Sequence, residues 1–225
     1  MYTNILIDAD DTLLDFQKAQ LYGFQTVLEH YGFVFSQELY DTYLKINHSL
    51  WSKFEKDMID KDTVQKERFF ELFKSINKEV DGYEADHIYQ QSLENQTWLL
   101  PYAEEVCKNI STKCTLTIVT NGVGRTQKKR ITSSAISPYI TNIFISEDIG
   151  IAKPDKRFFD FVLNAINCYD TRKILLVGDS ITSDIKGANN ANIDACWYNP
   201  YMKVLNQNFT VRYIISDLRQ LLEII

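Results

Sequence analysis

The sequence predicts an α/β protein in which a doubly wound parallel sheet carries an inserted all-helical segment. Three observations lead to this fold class. The apolar run Ile5–Ile7 ends abruptly in acidic residues, which is typical of a buried parallel strand followed by a functional loop. Between residues 16 and 98, apolar residues recur at helical spacing and no convincing strand pattern is found. From Pro101 onward, strand-like and helix-like runs alternate.

The composition is typical of a globular protein with long regular elements. The 225 residues can hold one domain with a sizeable insertion, and the low numbers of Gly (8) and Pro (4) argue against linkers. The net charge of -6 gives no basic footprint for a nucleic-acid polymer. No apolar stretch reaches the roughly 18 residues of a membrane span, and the N-terminus lacks the basic start of a signal peptide. We therefore expect a cytoplasmic protein that contacts neither nucleic acid nor membrane. Nothing in the sequence indicates its oligomeric state.

The helical segment is predicted to form a bundle of about four helices. We expect helix N-caps at Ser36 and Asp62, and breaks between helices at Gly32 and Gly82. Aromatic residues are frequent at the apolar positions, where such stripes are more often bundle core than ligand contacts. The first strand belongs with the later strands, so the helical segment is an insertion after it.

The alternating part of the chain supplies the rest of the sheet. We expect strands over residues 116–120, 143–145, 174–177, 195–198 and 213–215. We expect helices over residues 101–110, 127–134, 154–166 and 181–189, with a further helix after the last strand. Strands that alternate with helices form a parallel sheet covered on both faces. In such sheets, ligands bind outside the carboxyl ends of the strands.

Polar or charged residues follow each of the first four predicted strands. In chain order they are Asp8, Asp10, Asp11 and Thr12, then Thr120 and Asn121, then Lys153, then Asp179 with Asp184. Each later group has a structural alternative. Thr120 and Asn121 could end a strand and cap a helix. Lys153 could be a solvated side chain ahead of a helix that starts with proline. Asp179 could be an N-cap, with Asp184 complementing the helix dipole.

The acidic run after the first strand is harder to explain by structure alone. Two carboxylates about 4 Å apart repel each other by roughly 4 kcal/mol at an effective dielectric constant near 20. Asp179 would add to this repulsion. A hard divalent cation that prefers oxygen ligands would relieve this repulsion, and Mg²⁺ is the first candidate. The sequence therefore predicts a magnesium site at the strand ends.

In this order, these residues resemble the four motifs of the haloacid dehalogenase superfamily. The matching positions are Asp8-x-Asp10-x-Thr12, Thr120, Lys153, and Gly178-Asp179 with Asp184. The resemblance covers essentially the whole chain, because the helical insertion lies where this family places its cap domain. It implies a Rossmann-like α/β catalytic core of residues 1–14 and 100–225 and a helical cap of residues 15–99. The segments around the motifs resemble the nucleotidase-like branch most closely. One departure is Asp11, where many relatives have Gly.

The resemblance implies a phosphomonoester hydrolase that works through an aspartyl-phosphate intermediate. Asp8 would attack phosphorus. Asp10 would protonate the leaving alkoxide and then activate the water that hydrolyses the intermediate. Thr120, Asn121 and Lys153 would bind the transferred phosphoryl group.

The same resemblance implies Mg²⁺ as the cofactor. Its ligands would be Asp8, the main-chain carbonyl of Asp10, and Asp179. Asp184 would be either a further ligand or a residue that orients the ligands. The implied substrate is a small-molecule phosphate ester, and the nucleotidase-like segments favour a nucleoside 5′-monophosphate.

Several other activities stay open at this point. A sugar-phosphate phosphatase or a promiscuous phosphatase is the main alternative. A haloacid dehalogenase lacks the acid found here at Asp10, and a phosphonate hydrolase needs a cap amine such as Lys18, Lys45 or Lys53. A non-enzymatic receiver-type phosphoacceptor carries its acceptor aspartate on a middle strand, unlike this chain. Residues that could stack a nucleobase, or form bundle core instead, are Phe16, Tyr22, Tyr43, His48, Trp51 and Phe54.

Overall fold

The computed structural model describes residues 1–205 and 208–225, which divide into two compact units. The first unit combines Met1–Phe16 with Thr97–Ile225, and the second is the intervening segment Gln17–Gln96. All strands of the described residues lie in the first unit, and the second unit is helical. The predicted fold class, a doubly wound parallel sheet with an all-helical insertion, is confirmed.

Four helices account for the helical segment, as the sequence predicts. They are α1 (Phe16–His30), α2 (Gln37–Phe54), α3 (Lys61–Ser75) and α4 (Gly82–Leu93). The N-cap at Ser36 is confirmed, because its side chain accepts a hydrogen bond from the amide three residues later at 3.2 Å. The N-cap predicted at Asp62 is wrong: Asp60 caps α3 and accepts the Thr63 amide at 2.7 Å. Asp62 lies in the first turn, where its charge complements the helix dipole.

One aromatic ring from each helix contributes to a central cluster in the core of the helical unit. Tyr43 of α2 is fully buried, and its ring centroid lies 5.0 Å from Phe24 of α1 and 5.3 Å from Phe69 of α3. Tyr89 of α4 completes the cluster at 6.2 Å from Tyr43. Tilted and offset rings at these distances attract each other in addition to burying apolar surface. For Tyr43, therefore, the bundle-core interpretation is correct.

A buried ion pair joins α3 and α4. Arg68 is 2% exposed and Asp86 is 5% exposed, and Nε of Arg68 donates to Oδ1 of Asp86 at 2.7 Å. Gln65 donates to the other carboxylate oxygen at 3.0 Å. The guanidinium also lies over the Tyr89 ring, 4.6 Å from its centroid. Charges buried to this degree are tolerated because each one has its partner.

Among the residues that the structure describes, the sheet contains six parallel strands. They are β1 (Asn4–Ile7), β2 (Thr115–Thr120), β3 (Asn142–Ile145), β4 (Ile174–Gly178), β5 (Asp194–Tyr198) and β6 (Tyr213–Ile215). Their order in the sheet is β3-β2-β1-β4-β5-β6, so the direction of winding reverses at β1. The crevice at such a reversal is where doubly wound sheets bind ligands.

Helices cover both faces of this sheet. The helices of the first unit are α5 (Ala103–Ser111), α6 (Gly124–Thr132), α7 (Ser146–Ile149), α8 (Lys156–Ala165), α9 (Lys186–Asn190) and α10 (Leu221–Ile224). Ile5 and Ile7 of β1 belong to an apolar cluster shared with α5 and α10. Leu6, which points to the opposite face, belongs to a second cluster shared with α8 and α9. This explains why β1 is apolar from Ile5 to Ile7.

Several helices that follow strands begin a few residues away from their predicted starts. The helix predicted over 127–134 begins at Gly124, and the one predicted over 154–166 begins at Lys156 with Asp155 as its N-cap. The segment predicted as one helix over 181–189 is a π-helical turn, Ile181–Ile185, followed by α9. Among the described residues, none of the helices combines the length and apolar character that crossing a bilayer requires.

Replacing Asp86 with Ala is expected to lower the free energy of unfolding by about 3–5 kcal/mol, because Arg68 would stay charged and buried without its carboxylate. Urea unfolding followed by circular dichroism measures this change. The control is Asp160→Ala, which breaks the exposed Lys156–Asp160 pair and should cost less than about 1 kcal/mol. Equal effects of the two substitutions would contradict the assigned role of the buried pair.

Candidate active site

Adjacent strands bring two aspartates together at the reversal point. Ile7 of β1 pairs in register with Val177 of β4, so Asp8 and Asp179 follow the ends of neighbouring strands. The amide of Asp8 continues the ladder by donating to the Val177 carbonyl at 2.9 Å. Asp184 lies in the π-helical turn after β4. Carboxylate oxygens of Asp8, Asp179 and Asp184, one from each, lie within 4.8 Å of one another.

Lys153 lies between two of these carboxylates and is only 1% exposed. Its Nζ donates to Oδ1 of Asp8 at 2.6 Å, to Oδ1 of Asp184 at 2.7 Å and to the Val119 carbonyl at 2.8 Å. An ammonium group has three donors, and all three are used. The solvated alternative for Lys153 is therefore excluded. The lysine instead fixes the orientation of both carboxylates.

Asn121 holds the backbone of Lys153 from both sides. Its Nδ2 donates to the Lys153 carbonyl at 2.8 Å, and its Oδ1 accepts the Lys153 amide at 2.9 Å. These two hydrogen bonds link the loop after β2 to the segment between α7 and α8. The Asn121 side chain thus positions the lysine, and its amide group is directed at the chain rather than at an open position.

Asp184 is oriented by its own turn and by Gly178. Its Oδ2 accepts the Ser180 amide at 3.1 Å, while Lys153 holds its Oδ1. The turn is π-helical because the amide of Ile185 donates to the Ser180 carbonyl five residues back, at 3.1 Å. A Cβ at position 178 would lie 2.2 Å from the Asp184 carboxylate. Glycine is therefore required there for Asp184 to approach the strand end.

Thr120 is the last residue of β2, and its hydroxyl group is oriented so that it can donate a hydrogen bond. Its Oγ1 accepts the Gly122 amide at 3.2 Å and Nε2 of Gln127 at 2.9 Å. A hydroxyl has two acceptor lone pairs and one O–H. Since both lone pairs are used, the O–H is the group that Thr120 can offer to a ligand oxygen.

Asp10 is held by two side chains that the sequence analysis did not identify. Nη1 of Arg130 donates to its Oδ1 at 2.5 Å, and Nε2 of Gln127 donates to its Oδ2 at 2.5 Å. Gln127 and Arg130 lie one turn apart on α6, and each is 1% exposed. A helix begun at Gly124 places both on the buried face beside Ile131. Polar residues at core positions of an amphipathic helix were the signal that could have revealed them.

Burial and like charges act on the acidic groups of the site. Burial, opposed by Lys153 and reinforced by Asp184, raises the pKa of Asp8 to about 7. Burial raises the pKa of Asp179 well above its ordinary range, and Asp8, Asp184 and Asp11 add to this effect. Lys153 has a raised pKa, because Asp184 and Asp8 outweigh the opposing effect of its burial. The lysine is therefore charged, whereas the charged forms of Asp8 and Asp179 are disfavoured, and their full ionisation would leave an excess of negative charge.

The excess fits a hard divalent cation. When ionised, Asp8, Asp179 and Asp184 contribute three negative charges, and Lys153, which contacts two of them, contributes one positive charge, which leaves a formal charge of -2. Three carboxylate oxygens within 4.8 Å of one another are a donor set suited to Mg²⁺. The residues present therefore fit the ion that the sequence predicts.

Asp11, the departure from the expected motif, has a backbone in the left-handed region, with φ of 57°. Glycine adopts this conformation freely, and Asp is among the few other residues that tolerate it. The position that many relatives fill with glycine is thus one where the backbone itself favours glycine.

Comparison with known proteins agrees with this geometry. The model of the haloacid dehalogenase-like hydrolase family matches residues 5–198. The chain belongs to this family. Its similarity to other haloacid dehalogenase-like hydrolases extends over nearly full lengths. The chain is 36% identical to the HAD-hydrolase YfnB of Bacillus subtilis (strain 168), over 100% of this chain and 95% of the relative. A crystal structure of YfnB bound to magnesium superposes with a TM-score of 0.95, covering 99% of this chain and 98% of that one.

Two further haloacid dehalogenase-like relatives are named pyrimidine 5′-nucleotidases. PynA of Streptococcus pneumoniae (strain ATCC BAA-255 / R6) is 35% identical over 89% of this chain and 85% of the relative. YjjG of Escherichia coli (strain K12) is 28% identical over 96% of this chain and 95% of the relative. The resemblance to the nucleotidase-like branch of the haloacid dehalogenase superfamily is confirmed.

Replacing Asp179 with Asn is expected to stabilise the metal-free protein by about 1–3 kcal/mol at pH 8, because it removes a buried like charge. The raised pKa of Asp179 means that the folded state resists losing its proton. The loss of folding stability caused by ionised Asp179 is therefore complete above the pKa of Asp179 in the folded state. It vanishes below about pH 4, where the carboxyl is protonated in the unfolded state as well. Urea unfolding with EDTA at several pH values measures the difference.

Mg²⁺ at 100 times its dissociation constant is expected to stabilise the natural protein by about 2.7 kcal/mol, and the same variant should lose this stabilisation. Asp160→Asn, an exposed carboxylate on α8, is the control and should respond to Mg²⁺ like the natural chain. An Asp179→Asn variant that is less stable than the natural protein in EDTA and retains the Mg²⁺ response would contradict the assigned charge conflict.

Proposed function

We propose that this protein is a Mg²⁺-dependent phosphomonoester hydrolase that works through an aspartyl-phosphate on Asp8, and that its substrates are pyrimidine nucleoside 5′-monophosphates. The observation that carries the proposal is the pairing of two aspartates, two residues apart, with two different cations. Lys153 holds Asp8, and Arg130 holds Asp10. One carboxylate is thereby available as nucleophile and the other as acid and base.

Asp8 is the proposed nucleophile. Lys153 holds its Oδ1, and no group in residues 1–205 or 208–225 donates a hydrogen bond to Oδ2. Oδ2 can therefore attack phosphorus as the bond from phosphorus to the ester oxygen breaks. Asp10 gives its proton to that oxygen, so that an alcohol leaves. In the second step Asp10 takes a proton from water, the oxygen of that water bonds to phosphorus, and inorganic phosphate leaves Asp8.

The phosphoryl group needs donors for its oxygens during both steps. The O–H of Thr120 is the proposed donor on one side, since both of its lone pairs are occupied. Lys153 supplies positive charge on the other side, and Asn121 holds the lysine backbone in place. This gives Asn121 an indirect role in phosphate binding.

Asp8, Asp179, Asp184 and the main-chain carbonyl of Asp10 are the proposed Mg²⁺ ligands. When bound, the ion neutralises the carboxylates and the transferred phosphoryl oxygens. Asp184 already accepts hydrogen bonds at both oxygens, and each oxygen keeps a second lone pair. We therefore propose that Asp184 would serve both functions left open by the sequence: it would be a further ligand, and it orients the ligand Asp8 through the Lys153 ammonium that both carboxylates hold.

The substrate class rests on the names of PynA and YjjG, which span nearly the whole chain. We propose that the helical unit is the cap domain of the family. Several of the aromatic residues considered for base stacking are accessible within this unit. Tyr22 and His48 are exposed, whereas Trp51 and Phe54 are half-buried and pack edge to face at 5.5 Å.

Asp8→Asn is expected to reduce the turnover of p-nitrophenyl phosphate with Mg²⁺ by at least about 10⁴-fold, because the amide cannot form the phosphoenzyme. Steady-state release of p-nitrophenol measures this, and an unchanged melting temperature shows that the fold is intact. Asp160→Asn is the control and should retain full activity. Retained Mg²⁺-dependent turnover in Asp8→Asn would disprove the nucleophile assignment.

Pyrimidine nucleoside 5′-monophosphates are expected to give kcat/KM values at least about tenfold above those of sugar phosphates of similar size. Release of inorganic phosphate from a panel of esters at saturating Mg²⁺ measures the preference. The panel should include purine nucleoside monophosphates and 3′-monophosphates as matched controls. A flat profile would support a promiscuous phosphatase instead.

A further inference from the structure

We propose that Gln127 and Arg130 are positioning residues that hold Asp10 in the orientation needed to donate and accept the reaction proton. This inference rests on the proposed phosphohydrolase function. It assigns a role to two buried residues of α6 that none of the strand-end motifs includes.

Gln127 and Arg130, which we call the Asp10 clamp, contact both carboxylate oxygens of Asp10 from the same helix, α6. Arg130 reaches Oδ1 and Gln127 reaches Oδ2, each at 2.5 Å. Arg130 also donates to Oε1 of Gln127 at 3.3 Å, which links the two members of the clamp. The Asp10 side chain is 24% exposed, whereas that of Arg130 is 1% exposed. The buried side chains of the clamp therefore hold Asp10, while part of the Asp10 side chain stays accessible.

Gln127 also connects Asp10 to Thr120. Its Nε2 donates to Oδ2 of Asp10 and to Oγ1 of Thr120, at 2.5 and 2.9 Å. A Cβ at position 122 would lie 2.4 Å from this Nε2, so Gly122 leaves the space in which the amide lies. One amide group therefore sets the spacing between the proposed acid and the proposed phosphate-binding hydroxyl.

This geometry predicts a defect that depends on the leaving group. A benzyl alkoxide is a poor leaving group and needs a proton as the ester bond breaks, whereas p-nitrophenolate is stable without one. Loss of the clamp should therefore slow the first step for benzyl phosphate and leave it nearly unchanged for p-nitrophenyl phosphate. The kcat/KM value reports this step, because it includes events only up to the departure of the first product.

The test compares Arg130→Met and Gln127→Met with the natural enzyme on both esters. Each variant is expected to lose about 100-fold in kcat/KM for benzyl phosphate and less than about 5-fold for p-nitrophenyl phosphate. Lys128→Met removes a cation from the exposed face of the same helix and should leave both values unchanged. Melting temperatures show which variants are folded.

A double-substitution cycle separates positioning from general structural support. Asp10→Asn alone should show the same selective loss, and adding Arg130→Met to it should reduce benzyl phosphate turnover less than about 3-fold further. Should Arg130→Met fail to fold, the uncharged substitution Gln127→Met provides the same comparison.

Three outcomes would overturn the inference: equal losses on both esters in a folded variant, unchanged turnover of benzyl phosphate, or multiplicative losses in the double variant. In each of these the natural enzyme remains active. Failure of the proposed function differs visibly, because the natural protein would then hydrolyse neither ester with Mg²⁺.

Discussion

The candidate site depends on one interaction, the burial of the Lys153 ammonium between Asp8 and Asp184. Each of its three protons has an acceptor oxygen, and the distances from Nζ to these oxygens are at most 2.8 Å. In a position so poorly solvated, neither the lysine nor the two carboxylates could stay charged alone. The interaction also joins loops that follow three different strands, so it fixes how the strand ends face one another.

The rest of the site follows from the excess of carboxylates that this lysine leaves. Asp179 follows β4 at the same edge, and its burial together with the charges of Asp8, Asp184 and Asp11 raises its pKa well above the ordinary range. Asp10, only two residues from Asp8, avoids the conflict by turning to Arg130 on α6. Two aspartates of one short loop thereby lie in different electrostatic environments. Separating the environments of paired carboxylates is how one fold assigns them different chemical roles.

Much of this could be predicted from the sequence, because the decisive signals are local. The apolar run of β1 and the acids after it predict a buried strand with a functional end, and Lys153 and Asp179 follow later strands in the same manner. The helix starts were less predictable. Asp60 and Asp62 are both acceptable caps by composition, and only the path of the chain decides between them. The π-helical turn places the Asp184 carboxylate against Gly178, and the periodicity of the sequence does not reveal this contact.

The clamp on Asp10 could not be predicted for a different reason. Asp10 is separated in the chain from Gln127 by 117 positions and from Arg130 by 120 positions. Predicting these contacts would also require the register of α6 to be known within one residue. Once that register is known, the energetics follow. Burying an arginine and a glutamine on a helix face is costly unless both find partners. The carboxylate of Asp10 and the hydroxyl of Thr120 meet this requirement. The same contacts that make α6 stable against the sheet therefore bring the proposed acid and the proposed phosphate-binding hydroxyl to a fixed separation, so that stability and alignment of the site have one physical origin.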